Sequence, residues 1–295
     1  MSKKTIFLAA GQDGLRTSSE DGLIWSKPQT GKEGEYYKAI AFVNGICLAA
    51  GSYGGDNILS VTRDGQSWKT ILKKAEYVNY IRGLGVDDKR FIALGGDPGS
   101  VGNSRTFVML SQDGLDWSES KLVGGKHLLR RLARGGGRFV AVGDRGRRAT
   151  SADAVTWTDA PEVKALDTLV DVTFGNDVFV GVGLHGLRMC SRDGLKWTDR
   201  QAGEEGEHLN SVVWAKDRFV AVGPTATFTS LEGKRWEKTK NDNAPQTICY
   251  GAGKFVGLSW KGKIHFSTDA VHWKLAAKFD QNLEAVAFGE VETSP

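Results

Sequence analysis

Short apolar runs ending in Gly or Ser return along the chain at near-regular intervals: IFLAAG, CLAAG, RFIALGG, RFVAVG, VFVGVG, RFVAVG and KFVGLS. Each reads as a short strand. A second apolar segment precedes all but the first, in YYKAIAFVNG, YIRGLGVDD, LLRRLARGG, TLVDVTFGND, HLNSVVWAKD and QTICYGAGK. Turn residues such as Gly-Asn-Asp, Gly-Gly-Gly and Gly-Ala-Gly separate the two and signal hairpins. After each run comes one phrase: an acid, a small residue, and a Trp four positions beyond the acid. Its seven copies end at Trp25, Trp68, Trp117, Trp157, Trp197, Trp236 and Trp273, with gaps of 43, 49, 40, 40, 39 and 37 residues. One unit is therefore strand a, turn, strand b, loop, strand c ending at the acid, and strand d carrying the Trp. Four short antiparallel strands per forty-odd residues predict a propeller blade.

The chain ends extend this reading. The first repeat has strands b, c and d but no strand a, whereas NLEAVAFGE at 282–290 is a strand a with nothing after it. Joining 1–27 to 282–290 completes a seventh blade. The expected fold is an all-β, seven-bladed β-propeller of four-stranded antiparallel blades. It spans 1–295 as one domain, closed by the C-terminal strand pairing with the N-terminal strands. Such closure removes exposed sheet edges. The opening MSKKTIFLAAG looks like a short signal peptide, but its apolar run is about six residues, below the roughly 7–15 required. It aligns with the internal strands and is read as one of them. No apolar stretch approaches the roughly 18 residues of a membrane span.

Composition narrows the classes. A net charge of +4 over 295 residues is too mild to argue for nucleic acid. Cys47, Cys190 and Cys249 fall in different repeats without metal-ligand spacing, which fits a reducing, cytoplasmic compartment better than a disulfide scaffold. Neither metal nor cofactor is expected, and the ring is expected to be a monomer.

The phrase, seen as SSEDGLIW, LSQDGLDW, CSRDGLKW and four variants, resembles the Asp-box (BNR) repeat of sialidase-like propellers. The usual form has one more residue between Asp and Gly. The resemblance implies that Asp21, Asp64, Asp113, Asp153, Asp193, Glu232 and Asp269 mark a turn between the two outer strands, away from the ligand face. Physically, an Asp can close a tight turn on backbone N–H groups one and two residues ahead, and the Trp can cover the gap between blades. Seven equal copies suit a fastening better than a catalytic group.

Function is expected where the copies differ. The b–c loops and the connections into strand a should gather at one mouth of the channel. Positions there include Asp13, Tyr53, Arg145, His185, Thr225 and Lys261, with GSYGGDN and GGDPGSVGNSR as two lengthened loops. Arg82, Arg130, Arg131, Arg145, Arg147, Arg148, Lys261 and Lys263 are expected to crowd that mouth, beside an exposed Trp260. The predicted ligand-binding set is Arg82, Arg130, Arg131, Arg145, His185, Trp260, Lys261 and Tyr53, suited to an anionic or carbohydrate ligand or to a protein partner. The chain lacks the Arg-Ile-Pro segment and the six blades that a sialidase resemblance would require. The leading expectation is a non-catalytic binding or assembly module; blade length and an arginine-rich face also resemble those of photosystem assembly factors. The alternative is a polysaccharide lyase or glycoside hydrolase acting on an anionic glycan, with His185, Tyr53 and Asp171 as catalytic candidates. A glycosidase would need two carboxylates, for which Asp13 and Asp171 stand at the mouth. A lectin is the third reading, although these mouths diverge from blade to blade.

Overall fold

The computed structural model describes residues 2–74, 81–97, 104–161 and 163–292. Seven antiparallel sheets stand in a ring, each inner strand packed beside the inner strands of its two neighbours. The inner strands of blades 1 to 6 are Tyr36–Val43, Ile81–Val86, Leu129–Gly135, Leu169–Gly175, Ser211–Ala215 and Thr247–Gly251. Blade 7 takes its inner strand from Leu283–Glu292, which pairs antiparallel with Lys3–Gly11. The ring closes there, as the split repeat predicts.

Blade 4 illustrates the unit: Leu169–Gly175, Val178–Gly183, Arg188–Ser191 and Thr198–Gln201 pair in that order. Its second strand is buried at every position. Alternate side chains face opposite neighbours. Phe179 meets Val140 and Val142 of blade 3, while Val180 and Val182 meet Phe219 and Ala221 of blade 5. A strand buried on both faces has no polar side, so the sequence shows a continuous apolar run rather than an alternation. Fully burying one such Phe contributes roughly 1.5–3 kcal/mol. Each seam also takes one half-buried Trp of the repeated phrase, for example Trp197 between blades 3 and 4 and Trp236 between blades 4 and 5.

The phrase itself is a turn between the two outer strands. Asp193 Oδ1 accepts the N–H groups of Leu195 and Lys196 at 2.9 and 2.8 Å, and Ser191 Oγ accepts that of Gly194 at 2.8 Å. The accepted groups are thus two and three residues ahead, not one and two. The next carbonyl anchors the indole: Trp197 Nε1 donates to Gly194 O at 3.0 Å. Glu232 departs from this pattern, its longer side chain accepting Arg235 Nε at 3.0 Å instead.

Inner strands lock through aromatic rings laid on glycines. Gly135, Gly175, Gly251 and Gly289 leave the space filled by Phe174, Trp214, Phe288 and Phe42 of the next blade.

Two expectations need correction. Blade 7 has three strands, because Arg16–Ser19 meets only an isolated bridge from Arg16 to Gln29 where a fourth strand was expected. Pro28 lacks the N–H a ladder needs, and Ser26 and Gln29 cap the edge instead. GSYGGDN is not a lengthened loop, since Ile46–Tyr53 and Asp56–Thr62 pair down to Tyr53 and Asp56 around a Gly-Gly turn. In the second insertion, pairing continues to Asp97 and Arg105, and residues 98–103 lie outside the described residues.

Candidate functional site

Strand direction puts the b–c hairpins and the connections into the inner strands on one face, and the acidic turns on the other. Several of these hairpins carry an X-Gly pair in the left-handed region. Asp13, Arg145, His185 and Lys261 have φ of 52°, 51°, 54° and 64°, and each precedes a positive-φ Gly. Such a pair suits the twist of a two-residue hairpin. Arg145, His185 and Lys261 are consequently exposed at the tips. The connections hold these hairpins from behind. Gly203 N donates to His185 O at 2.8 Å, His185 N to His208 Nδ1 at 3.1 Å, and Lys261 N to Asn282 Oδ1 at 2.8 Å.

At the axis of this face lies a cavity of about 320 Å³. It is lined from five consecutive blades, mostly by the first residues of their inner strands: Arg131, Asp171, Asn210, Gln246, Thr247, Asn282 and Glu284, with Leu258, Ser259, Trp260 and Leu283. Trp260 is 64% exposed on its wall.

Two of the charged lining groups also bond neighbouring blades. Asp171 accepts Val172 N at 3.0 Å and Val212 N at 2.9 Å, tying blade 4 to blade 5. Burial lifts its carboxyl above the ordinary range, against the pull of Arg131 and these N–H groups. Arg131 donates to Arg82 O at 2.6 Å, tying blade 3 to blade 2. Burial first, and then the nearby Glu284 carboxylate, push the pKa of the Tyr36 phenol up. Lys38 lies 4.6 Å from the Tyr36 ring centroid, and burial together with Arg82 lowers its pKa. By contrast, the polar side-chain atoms of Asn210, Gln246, Thr247, Ser259 and Trp260 have no hydrogen bond to any described residue.

Of the predicted site residues, the cavity unites Arg131, Asp171 and Trp260. Arg82 and Arg130 start neighbouring inner strands, and Arg130 is held bidentately by Asp144. Arg145 and Lys261 stand at hairpin tips. His185 sits on the rim, its ring 5.3 Å from that of His208. Tyr53 lies three blades away from it, with Lys32 5.9 Å from its ring centroid. Asp13 anchors a connection by accepting Gly34 N at 3.0 Å. Arg147 and Arg148, expected at the mouth, are buried in seams instead. Arg147 bonds Asp159 and Thr106, each at 3.2 Å, and Arg148 lies 5.3 Å from the Trp197 ring. Arg16, Arg148 and Arg188 all stand three residues before the Ser of the repeated phrase and rest on aromatic rings of the next blade.

Asn210, Gln246, Thr247, Ser259, Asn282 and Glu284, which also line the cavity, were not among the residues expected at the mouth. Sequence reasoning also missed a duplicated connection, QTGKEGE at 29–35 and QAGEEGE at 201–207. In both, a Glu carboxylate folds under the loop into space that only a Gly leaves open. A search for short internal identities would have found it. Among the described residues no group of three or more His, Cys, Asp or Glu could hold a metal, and no helix is long and apolar enough to cross a membrane.

No protein-family model matches the sequence, and comparison with curated proteins gives no match. Solved structures do resemble it. A protein of unknown function from Desulfotomaculum acetoxidans aligns with TM-score 0.70 at 10% identity, over 98% of this chain and 99% of that one. Virginiamycin B lyase from Staphylococcus aureus aligns at 0.66 and 10% identity, over 93% and 88%. YCF48 bound to D1 peptide aligns at 0.62 and 16% identity, over 94% and 86%. At these identities the likeness establishes the propeller fold, shared by a lyase and a peptide-binding protein alike.

Proposed function

We propose that this chain is a non-catalytic binding module holding one partner at the axial mouth of its hairpin face. The observation that carries this reading is the cavity lined by unlike residues from five blades on an otherwise repetitive scaffold. A repeat whose copies diverge around its axis suits a single asymmetric ligand better than seven equal pockets. The likeness to YCF48 bound to D1 peptide supports an interaction role. The turn chemistry supports reading the repeats as Asp-boxes, and three buried free thiols support a reducing compartment. The test is affinity capture from the native host with wild type and with Asn210→Ala/Gln246→Ala/Trp260→Ala. A specific partner should be lost from the variant while Tm stays within about 2 °C. A partner kept by the variant but lost on altering the outer rim overturns the reading.

One observation favours a carbohydrate-active enzyme as a second reading: Asp171 and Glu284 line the same cavity. Turnover of a glycan that disappears in Asp171→Asn and in Glu284→Gln would establish it. Asp171 is already tied to the scaffold through two backbone N–H groups, so binding is preferred.

A further inference from the structure

We propose that the rim of the mouth between blades 4 and 5 is gated by pH, because the hairpin carrying His185 is held by an imidazole that accepts its hydrogen bond only while neutral. This rests on the reading of the mouth as the binding site and names a regulation of that site. Two hairpin tips give their backbone N–H to a side chain of the connection beside them. His185 N donates to His208 Nδ1 at 3.1 Å, and Lys261 N donates to Asn282 Oδ1 at 2.8 Å. Both tips have positive φ and precede a positive-φ Gly. Both acceptors stand two residues before a residue that lines the cavity, Asn210 in one case and Glu284 in the other. The two sites are copies of one fastening. They differ in a single respect: an amide oxygen has no charge to change, whereas an imidazole ordinarily changes charge between pH 5 and 8.

A neutral His208 that accepts at Nδ1 carries its proton on Nε2. Protonation puts a second N–H on Nδ1, facing the N–H of His185, so the bond gives way to two opposed donors. The charged groups gathered at this connection are Glu204, Glu205 and Glu207 on it, Arg188 on the third strand of blade 4 and Lys238 on the outermost strand of blade 5. Glu207 is paired with Lys238 and turned under the loop against Gly186 and Gly203. Among the described residues no carboxylate bonds either imidazole. The His185 ring, 5.3 Å from that of His208, adds a like charge once it is protonated as well. The hairpin keeps a second tie, since Gly203 N donates to His185 O at 2.8 Å. Acidification therefore loosens the tip without unfolding the blade. Because the connection runs on through Leu209 to Asn210, the loosened segment borders the cavity wall.

The test follows the backbone amides of the full chain, with no partner added, by heteronuclear NMR between about pH 7.5 and 5. In the wild type the His208 ring should titrate from the Nε2–H tautomer. The hydrogen-exchange protection of the His185 amide should fall with it by about fivefold or more, while that of the Lys261 amide stays within about twofold. His208→Asn, which copies the Asn282 fastening, should keep the His185 amide within about twofold across the range. Immobilised wild type loaded with host lysate near neutral pH should release what it holds in an acidic wash, and immobilised His208→Asn should retain it. A His185 amide indifferent to His208 protonation overturns the proposal, as does an equal loss of protection in His208→Asn. Acid release that is the same from both chains overturns it too. Capture that survives the triple mouth variant overturns the mouth as the partner site, and with it the gating, while the amide response stands on its own.

Discussion

Asp193 and its counterparts are held as carboxylates by the turns they close. Burial alone would raise the carboxyls of Asp64, Asp113, Asp193 and Asp269, but hydrogen bonds, from backbone N–H groups and at Asp269 first from the His272 ring, outweigh it and every one lies below the ordinary range. At Asp21 and Asp153 the N–H bonds are the leading influence, with the same direction. A carboxyl depressed in the folded state stabilises above the unfolded value of about 3.9 and loses that contribution as pH falls through the lower folded value. Six such groups should make Tm nearly flat between pH 5 and 7 and steeply falling below about 4. Thermal melts across that range check this, and a flat profile down to pH 3 would contradict it. Glu232 offers the converse experiment. Glu232→Asp should gain the two N–H bonds of the other copies and raise stability by about 0.5–1 kcal/mol, read as an increase in urea midpoint.

At the scale of strands, the glycine-aromatic locks carry the inter-blade geometry. A methyl on Gly175 would overlap the indole of Trp214, which packs in turn 4.6 Å from Phe219. Gly175→Ala should therefore cost about 1–3 kcal/mol through overpacking, while Gly137→Ala, which meets no neighbour but has a φ of +74°, should cost about 1–2 kcal/mol from backbone strain alone. Combining Gly175→Ala with Trp214→Val separates the two mechanisms, because room opened across the seam should recover part of the loss in the first case. The failed fourth strand of blade 7 belongs at this scale too. Pro28 stands beside the single bridge from Arg16 to Gln29 and has no N–H to offer a ladder.

For the whole molecule, the decisive element is Leu283–Glu292. It fills the inner position of blade 7 and packs against Tyr36–Val43 of blade 1, so it touches both sides of the closure. Deleting residues 283–292 should expose the edges of blades 6, 7 and 1 and lower Tm by more than about 10 °C, with aggregation visible by size-exclusion chromatography. A truncated chain that stays monodisperse with an unchanged melt would show that the ring does not depend on this strand.

The repeated runs, the acid-to-Trp ruler and the split repeat were enough to read seven blades and their closure from the chain. Each rests on local spacing, and in a propeller every blade packs the same way on its neighbours, so periodicity determines the fold. The mouth behaves differently. Arg147 and Arg145 are two residues apart, yet one is buried in a seam and the other stands at a hairpin tip. Arg131 and Asp171 read as free charges in the chain, whereas in the ring they fasten one blade to the next. Which side chains remain uncommitted depends on backbone groups supplied by other blades, far away in sequence. That accounting exists only once the ring has closed. In the closed ring the side chains of Asn210, Gln246, Thr247, Ser259 and Trp260 line the axial cavity without a bond to any described residue.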